Sequence, residues 1–418
     1  MAYDAMPLAI APCKIPNIFF MAIHPLNPVG IKSQTANFQA LPPLSLYIHI
    51  PWCVRKCPYC DFNSHEARGA FPEKEYVAAL TRDLEMALPL IWGRKVYTVF
   101  FGGGTPSLLS GAAVEEILRQ VRMLLPLDIN AEITLEANPG TVEAGKFALF
   151  KDAGVNRLSL GIQSFNDKHL QALGRIHSAD EAKRAIDNAQ QHFENINLDL
   201  MYALPNQTLD QALQDVQCAL QYAPQHLSCY HLTLEPNTLF HRNPPQLPDD
   251  DASSDMQQQI EEKLAAHGYQ HYETSAFAQS HRRARHNLNY WQFGDYLGIG
   301  AGAHSKLSFH DKVLRQIRHK QPQAYMEAVA RTEPLQEEHE VTHKDIAFEF
   351  MMNALRLNEG FDSSLFTERT SLPLLTIRRE LEEAEKRGLL YRDLQRIAPT
   401  QLGQRFLNDL LEIFLVKS

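Results

Sequence analysis

The sequence predicts an α/β fold around a parallel sheet, followed by a smaller and mostly helical unit. Three observations lead there. From Leu44 to Leu234, short apolar and β-branched runs alternate with segments of helical periodicity, the pattern of parallel strands joined by right-handed crossovers. A cysteine cluster and a glycine run each follow one of these strand-like runs directly, and the C-terminal ends of strands are where α/β folds bind ligands. From about Val341 the strand signals give way to helical ones. The periodicity leaves an open sheet and a partial barrel equally available.

Taken in order, the first strand is Leu44–Ile50, a continuous apolar run of the kind buried on both faces. Pro51 ends it. Helical periodicity over Glu73–Leu88 opens at Pro72 and closes before Pro89. Lys95–Phe101 reads as the second strand and runs into Gly102-Gly103-Gly104-Thr105-Pro106. A helix at Gly111–Leu125, a strand at Ala131–Ala137, a helix at Val142–Ala153 and a strand from Arg157 to Leu160 follow. Helices at Ser178–His192 and Leu209–Tyr222 flank the strand Asn197–Met201, and His226–Leu234 is the sixth strand. Beyond a proline- and acid-rich connector, Pro244–Asp251, a helix at Ala252–His267 and the aromatic-rich segment Tyr269–Leu307 complete the first domain. In the second unit helices are expected at Ile346–Leu357, Leu372–Arg387 and Leu402–Phe414. A short β-ribbon around Gly388-Leu389-Leu390 and Ile397-Ala398-Pro399 makes the arrangement winged-helix-like.

The expected organisation is an N-terminal extension over 1–40, a first domain over 41–310, a linker over 311–340 and the helical unit over 341–418. With 44% hydrophobic and 21% charged residues, the composition is that of a globular protein. A net charge of −9 gives no global field for nucleic acid or an anionic membrane, and the second unit carries mixed rather than basic charges, so no nucleic acid partner is expected. Six cysteines, three of them in one motif, fit a reducing compartment, with Cys13, Cys218 and Cys229 as packing residues. The extension is broken by Pro12, Pro16, Pro25 and Pro28 and lacks a basic leader. It reads as loosely ordered, with Met21 as an alternative start and the cytoplasm as the expected location.

The chemistry starts at Cys53, Cys57 and Cys60, spaced C-x3-C-x2-C on the loop after the first strand. Three thiols cannot close a tetrahedral structural zinc site. Three thiolates can hold three irons of a cubane and leave the fourth open to a small molecule, and Arg55 and Lys56 between them would favour the thiolates. A chance cysteine cluster or a redox thiol pair is the plainer alternative. Gly102 to Thr105 let the backbone approach a ligand closely with donors exposed, although such loops often only turn the chain. Glu136 and Gln163 end the third and fourth strands, where pocket residues or surface caps belong. Asp199, within the apolar NLDLMYALP, would be costly to bury alone, and reads as a pocket residue or a partner to Arg175. Tyr47 lies six residues before Cys53 and can point into the mouth of the fold.

With Tyr59 just before the last cysteine, this motif resembles the signature of the radical S-adenosylmethionine (SAM) superfamily. The resemblance selects a partial (β/α)6 barrel. It implies a [4Fe-4S] cluster on Cys53, Cys57 and Cys60, and a glycine-rich strand end that holds the amino group of SAM. From about Leu41 to the C-terminus, including MMNALRLNEGF and APTQLGQRF, order and spacing resemble one branch, the coproporphyrinogen dehydrogenases and haem chaperones. Carried to matching positions, the resemblance implies a SAM pocket of Tyr47, Gly103, Gly104, Thr105, Glu136, Gln163, Arg175 and Asp199.

Two features divide that branch. The dehydrogenases carry a further cysteine two residues after the third ligand, and this chain has Phe62 there. The segment His286-Asn287-Leu288-Asn289-Tyr290-Trp291 matches the H-N-x-x-Y-W motif of the haem chaperones. Histidine is a natural axial ligand for haem iron and aromatics can cover a porphyrin face. The same six residues also read as a packed aromatic cluster around a hydrogen-bonded histidine. His281 and His304 are rival ligands. The resemblance therefore implies a haem-binding chaperone with a cluster and SAM, acceptor proteins such as respiratory enzymes, and an electron donor for the cluster. The alternative is oxygen-independent coproporphyrinogen III oxidation in porphyrin biosynthesis.

Overall fold

The structure is a computed structural model that describes residues 37–67, 69, 71–141 and 146–415. Most of the N-terminal extension, with Cys13 and Met21, lies outside the described residues, as do residues 142–145 of the expected third helix.

Six parallel strands form the centre: β1 (Leu44–Ile50), β2 (Val96–Gly103), β3 (Leu127–Ala137), β4 (Arg157–Gln163), β5 (Ile196–Tyr202) and β6 (His226–His231). Each pairs in parallel with the next, from β1–β2 through to β5–β6. Helices α1 (Glu73–Ala87), α2 (Gly111–Leu124), α3 (Lys146–Ala153), α4 (Asp167–Ala172), α5 (Ala179–His192) and α6 (Leu209–Gln221) lie in the crossovers. The starts of α5 and α6 are fixed by capping boxes, Ser178 with Glu181 and Thr208 with Gln211, which satisfy N–H groups that a helix leaves unpaired.

Every residue of β1 is buried, but the two faces of the strands differ in kind. Val99, Phe101, Leu135, Leu158, Leu160, Leu198 and Leu227 share the main core with Ile186 and Ala189 of α5. On the opposite face stand Ser45, Thr98, Thr134, Ser159, Asn197 and Ser228, all buried and polar. Alternation with period two thus puts apolar groups toward the helices and a polar lining inside the barrel.

The sheet extends further than the sequence pattern indicates. Asp295–Ile299 adds a parallel strand beside β1, and the strands His304–Ser308, Val313–Arg318 and Leu335–Glu340 continue from it antiparallel. On the far side Ala276–Ala278 and Gln270–Glu273 extend β6, which gives twelve strands in one sheet. Residues 311–340 are therefore no linker. Val313–Arg318 and Leu335–Glu340 are paired strands joined by a helix, Pro322–Ala330. Their alternation is obscured because the last strand is an exposed, charged edge.

The C-terminal unit has its own core around Phe350, Phe366, Leu381, Ile397 and Leu410. Helices His343–Ala354, Ser363–Thr370 and Arg378–Lys386 surround a small sheet in which Arg396–Pro399 lies between Phe361–Asp362 and Leu390–Arg392. The winged-helix-like expectation matches this shape, but the helix Ser363–Thr370 was not expected. The expected helix over Leu402–Phe414 is broken into Gln401–Arg405 and Leu407–Glu412. Phe293 of the first domain packs edge-on to Phe350, 5.8 Å between centroids. Among the described residues no helix is long and apolar enough to cross a membrane.

Candidate cofactor site

The three cysteines lie at the C-terminal end of β1, on the loop the sequence places there. Trp52–Cys53 makes a two-residue parallel bridge with His65–Glu66, which folds the loop back on itself. Trp52 stacks on Phe71 at 4.8 Å and meets Tyr76 edge-on at 4.7 Å, so the loop is anchored to α1. Cys53, Cys57 and Cys60 are each half-buried and unbridged. Burial pushes the Cys60 thiol up to about 12. Burial also raises Cys53, against the pull of the Thr105 and Ser64 hydroxyls and the Arg175 charge. Ionising such thiols is costly unless a cation joins them, a charge that iron would supply. Among the described residues no three His, Cys, Asp or Glu side chains converge on a point where one ion would sit. A cubane differs from a single ion, because each thiolate takes a separate iron.

The cations around the loop are arranged differently from the sequence expectation. Lys56 Nζ donates to the carbonyls of Phe62 at 3.2 Å and Ser64 at 3.5 Å, so it braces the loop. Arg55 is exposed. The guanidinium at the thiols is that of Arg175, with Nη1 3.7 Å from Cys57 Sγ and 3.5 Å from the Tyr59 hydroxyl, and Nη2 donating to Gly161 O at 2.8 Å. No sequence spacing links it to the loop.

The glycine run packs directly on β1 and the cysteine loop. Gly103 has φ +112°, and a Cβ there would stand 2.5 Å from the His49 ring; one on Gly104 would stand 2.5 Å from Trp52 O. Its N–H groups are already used. Gly103 N donates to Glu136 Oε2 (3.3 Å), Gly104 N to Ile50 O (2.7 Å) and Thr105 N to Trp52 O (2.7 Å). The exposed donors expected from the sequence are therefore absent here, and the strand end is locked to its neighbours.

The remaining expected pocket residues lie along the inner face of the barrel. Burial, then repulsion from Asp199, raises Glu136 to about 8, while the Gly103 N–H and the Arg157 charge pull it down. Asp199 accepts from Ser159 (3.0 Å), Asn197 (2.8 Å) and Tyr230 (3.2 Å). The Arg175–Asp199 pairing offered by the sequence does not form, because Arg175 is turned to the cysteine loop. Gln163 ends β4 with a left-handed backbone, φ 67°. The following turn is pinned by Asp215, which accepts from the Ser164 hydroxyl at 2.6 Å and Phe165 N at 2.7 Å. Strain held in this way is a mark of functional strand ends. Tyr47 is buried, its hydroxyl 3.1 Å from His49 Nδ1.

The segment His286 to Trp291 lies at the other end of the barrel. It forms a helix, Arg285–Trp291, whose first N–H groups are capped by Glu132 of β3, from His286 N at 3.0 Å and Arg285 N at 3.1 Å. His286 is buried and stacks on Phe100 at 4.9 Å, with Nδ1 2.7 Å from Thr98 Oγ1 and Nε2 3.0 Å from the Tyr290 hydroxyl. Burial lowers its pKa to about 3. This is the arrangement of a packed aromatic cluster, and metal ligation through Nε2 would require breaking the contact to Tyr290. Trp291 is fully buried beneath the Arg356 guanidinium, 4.4 Å from the ring centroid. Asn287 is half-buried. His304 stays half-buried on its strand and His281 is exposed. The sequence reading passed over Arg157, Ser159, Asn197 and Tyr230. Polar residues at every second position of otherwise apolar strands were the signal for them.

Residues 47–219 match the model of the radical SAM superfamily, and residues 341–406 match that of the HemN C-terminal domain. Over 379 residues the chain is 50% identical to "Heme chaperone HemW" of Escherichia coli (strain K12), covering 90% of this chain and 99% of that protein. It is 47% identical, with the same two coverages, to "Heme chaperone HemW" of Haemophilus influenzae. The solved structure of coproporphyrinogen III oxidase (HemN) from Escherichia coli, described as a radical SAM enzyme, superposes with a TM-score of 0.76. It is 24% identical and covers 90% of both chains, a likeness of fold.

Proposed function

Since the chain belongs to the radical SAM superfamily and, within it, to the family of the heme chaperone HemW proteins, we propose that it is itself a haem chaperone. The observation that carries this reading is the 50% identity, which runs through nearly the whole of the Escherichia coli relative. In this reading the protein takes up haem and passes it to acceptor proteins such as respiratory enzymes, and it works in the cytoplasm.

Cys53, Cys57 and Cys60 would hold the [4Fe-4S] cluster, which supplies an open iron and, given an electron donor, a one-electron reductant. Arg175 would set the charge beside Cys57. Tyr47, Gly103, Gly104, Thr105, Glu136, Gln163, Arg175 and Asp199 would line the SAM pocket. An ammonium group needs acceptors, so the carboxylates of Glu136 and Asp199 and the carbonyls of the strand end suit it. The N–H groups of Gly103 to Thr105 are engaged within the protein. His286, Asn287, Tyr290 and Trp291 would form the aromatic floor on which haem rests.

The test is a pair of assays on anaerobically reconstituted protein. Stoichiometric haem binding without turnover of coproporphyrinogen is expected. Robust SAM-dependent decarboxylation of coproporphyrinogen, with no stable haem complex, would replace this reading by that of the dehydrogenase.

A further inference from the structure

One buried cation of the barrel, Arg157, forms no salt bridge among the described residues. Arg157 opens β4 and faces inward in register with Thr134, one step below the pair Glu136–Ser159. It is 3% exposed and its Nε has no hydrogen-bond partner. The carboxylates that feel its charge, Glu136 and Asp199, bond to other groups. Among the described residues the other buried cations are matched: Lys306 with Asp295 at 3.0 Å, Arg318 with Asp83 at 3.3 Å and Arg356 with Glu273 at 3.4 Å.

The acids nearest the floor are committed elsewhere. Glu132 caps the helix Arg285–Trp291 with both oxygens. Asp199 accepts from Ser159, Asn197 and Tyr230, and Glu136 accepts from Gly103 N, so neither is bonded to Arg157. Burial is the main influence on Glu136, Asp199, His226 and His286, but each also feels the Arg157 charge. The guanidinium therefore sits among all four without bonding to any. A buried cation without a partner is expensive, and a guanidinium is the group best shaped to take a carboxylate in two parallel hydrogen bonds.

Arg157 lies at the start of its strand and the cysteine loop at the strand ends, so a ligand held at the loop is on the opposite side of the polar lining. The groups near the floor include Phe100, stacked on His286, and Tyr290, edge-on to it. A carboxylate arriving there on a flat apolar body would meet aromatic walls and a waiting cation. We infer that Arg157 is the receptor for a carboxylate of the cargo, a porphyrin propionate, at the floor of the barrel. The inference rests on the haem-chaperone reading. The rival source of the same chemistry is the carboxylate of SAM.

The full chain, reconstituted anaerobically, is titrated with haem and with haem dimethyl ester, whose propionates carry no charge. SAM affinity and iron content are measured on the same preparations. The unsubstituted chain is expected to prefer haem over the ester by about tenfold or more, the size of one charge-assisted contact. Arg157→Gln should bring that ratio close to one, leaving SAM affinity and iron content unchanged, and Arg157→Lys should keep part of the preference. A ratio that survives in Arg157→Gln overturns the inference. So does a tenfold loss of SAM affinity with the ratio intact, which assigns the carboxylate to SAM. Should Arg157→Gln not fold, Arg157→Lys decides, a reduced ratio supporting the inference and an unchanged one overturning it. Absence of haem binding in the unsubstituted chain is a separate failure, since it removes the haem-chaperone reading itself.

Discussion

At the scale of single residues, the cysteine loop divides the five described cysteines into two kinds. Cys53, Cys57 and Cys60 share one loop, whereas Cys229 is buried on β6 and Cys218 sits on α6. Reconstituted protein is expected to carry about four irons per chain. Alanine at position 53, 57 or 60 should abolish that content, and Cys218→Ala and Cys229→Ala should leave it intact, as read by iron and sulfide analysis. His286 gives a different expectation. Its removal leaves the Thr98 and Tyr290 hydroxyls without their ring partner and opens a cavity under Phe100. His286→Ala should therefore cost about 2–4 kcal/mol of stability, visible in a urea titration. The absorption spectrum of bound haem should keep its shape. A changed spectrum with unchanged stability would restore His286 as an axial ligand. The cysteines were legible because their chemistry depends on spacing within one loop. Arg175 could be assigned to the pocket only through the resemblance, and its contact with Cys57 is made between residues 118 positions apart.

At the scale of elements, the end of β2 that packs on β1 has no room for a side chain at Gly103. Gly103 combines a left-handed backbone with a neighbouring ring where a side chain would go. Gly103→Ala should cost about 2–4 kcal/mol through backbone strain and overpacking together. Because the displaced partner is His49 on β1, SAM affinity measured by calorimetry should fall with it. Serine in place of glycine should do no better, since the clash is with the Cβ. The strands of the barrel were readable from their apolar runs, and the structure moves their ends by only a few residues. The antiparallel strands from His304 to Glu340 were not. They are short, and Lys306 and Arg318 are buried in them through pairing with Asp295 and Asp83, so the hydrophobic pattern breaks where the contacts are best satisfied.

At the scale of the whole molecule, Asp295 ties the sheet to the second unit. Lys306 Nζ lies 3.0 Å from its Oδ1 and Arg94 Nη2 2.8 Å from its Oδ2. Lys306 also sits 4.1 Å above the ring of Phe293, which packs into the C-terminal core. Burial pushes the Asp295 carboxyl up, but Lys306, Arg94 and the Ser308 N–H outweigh it and hold the folded pKa below the ordinary value. A depressed carboxylate stabilises above its unfolded pKa of about 4, and the contribution is lost as the pH falls through the folded value. Asp295→Asn should cost about 3 kcal/mol near neutrality by stranding a buried cation, and the gap should narrow as unfolding is measured toward pH 3. The sheet that this cluster supports has two unlike ends. The strand Gln270–Glu273 is met by the C-terminal unit through the Glu273–Leu357 bridge. The strand Leu335–Glu340 (LQEEHE) faces water along nearly its whole length. Its unpaired backbone would recruit a strand from any chain that came alongside. When the strand alongside is the same edge of a second copy, Glu337, Glu338 and Glu340 set like charges against each other. With threonine at those three positions that one open edge should pair with its copy on a second molecule, and a monomer should become a dimer in solution.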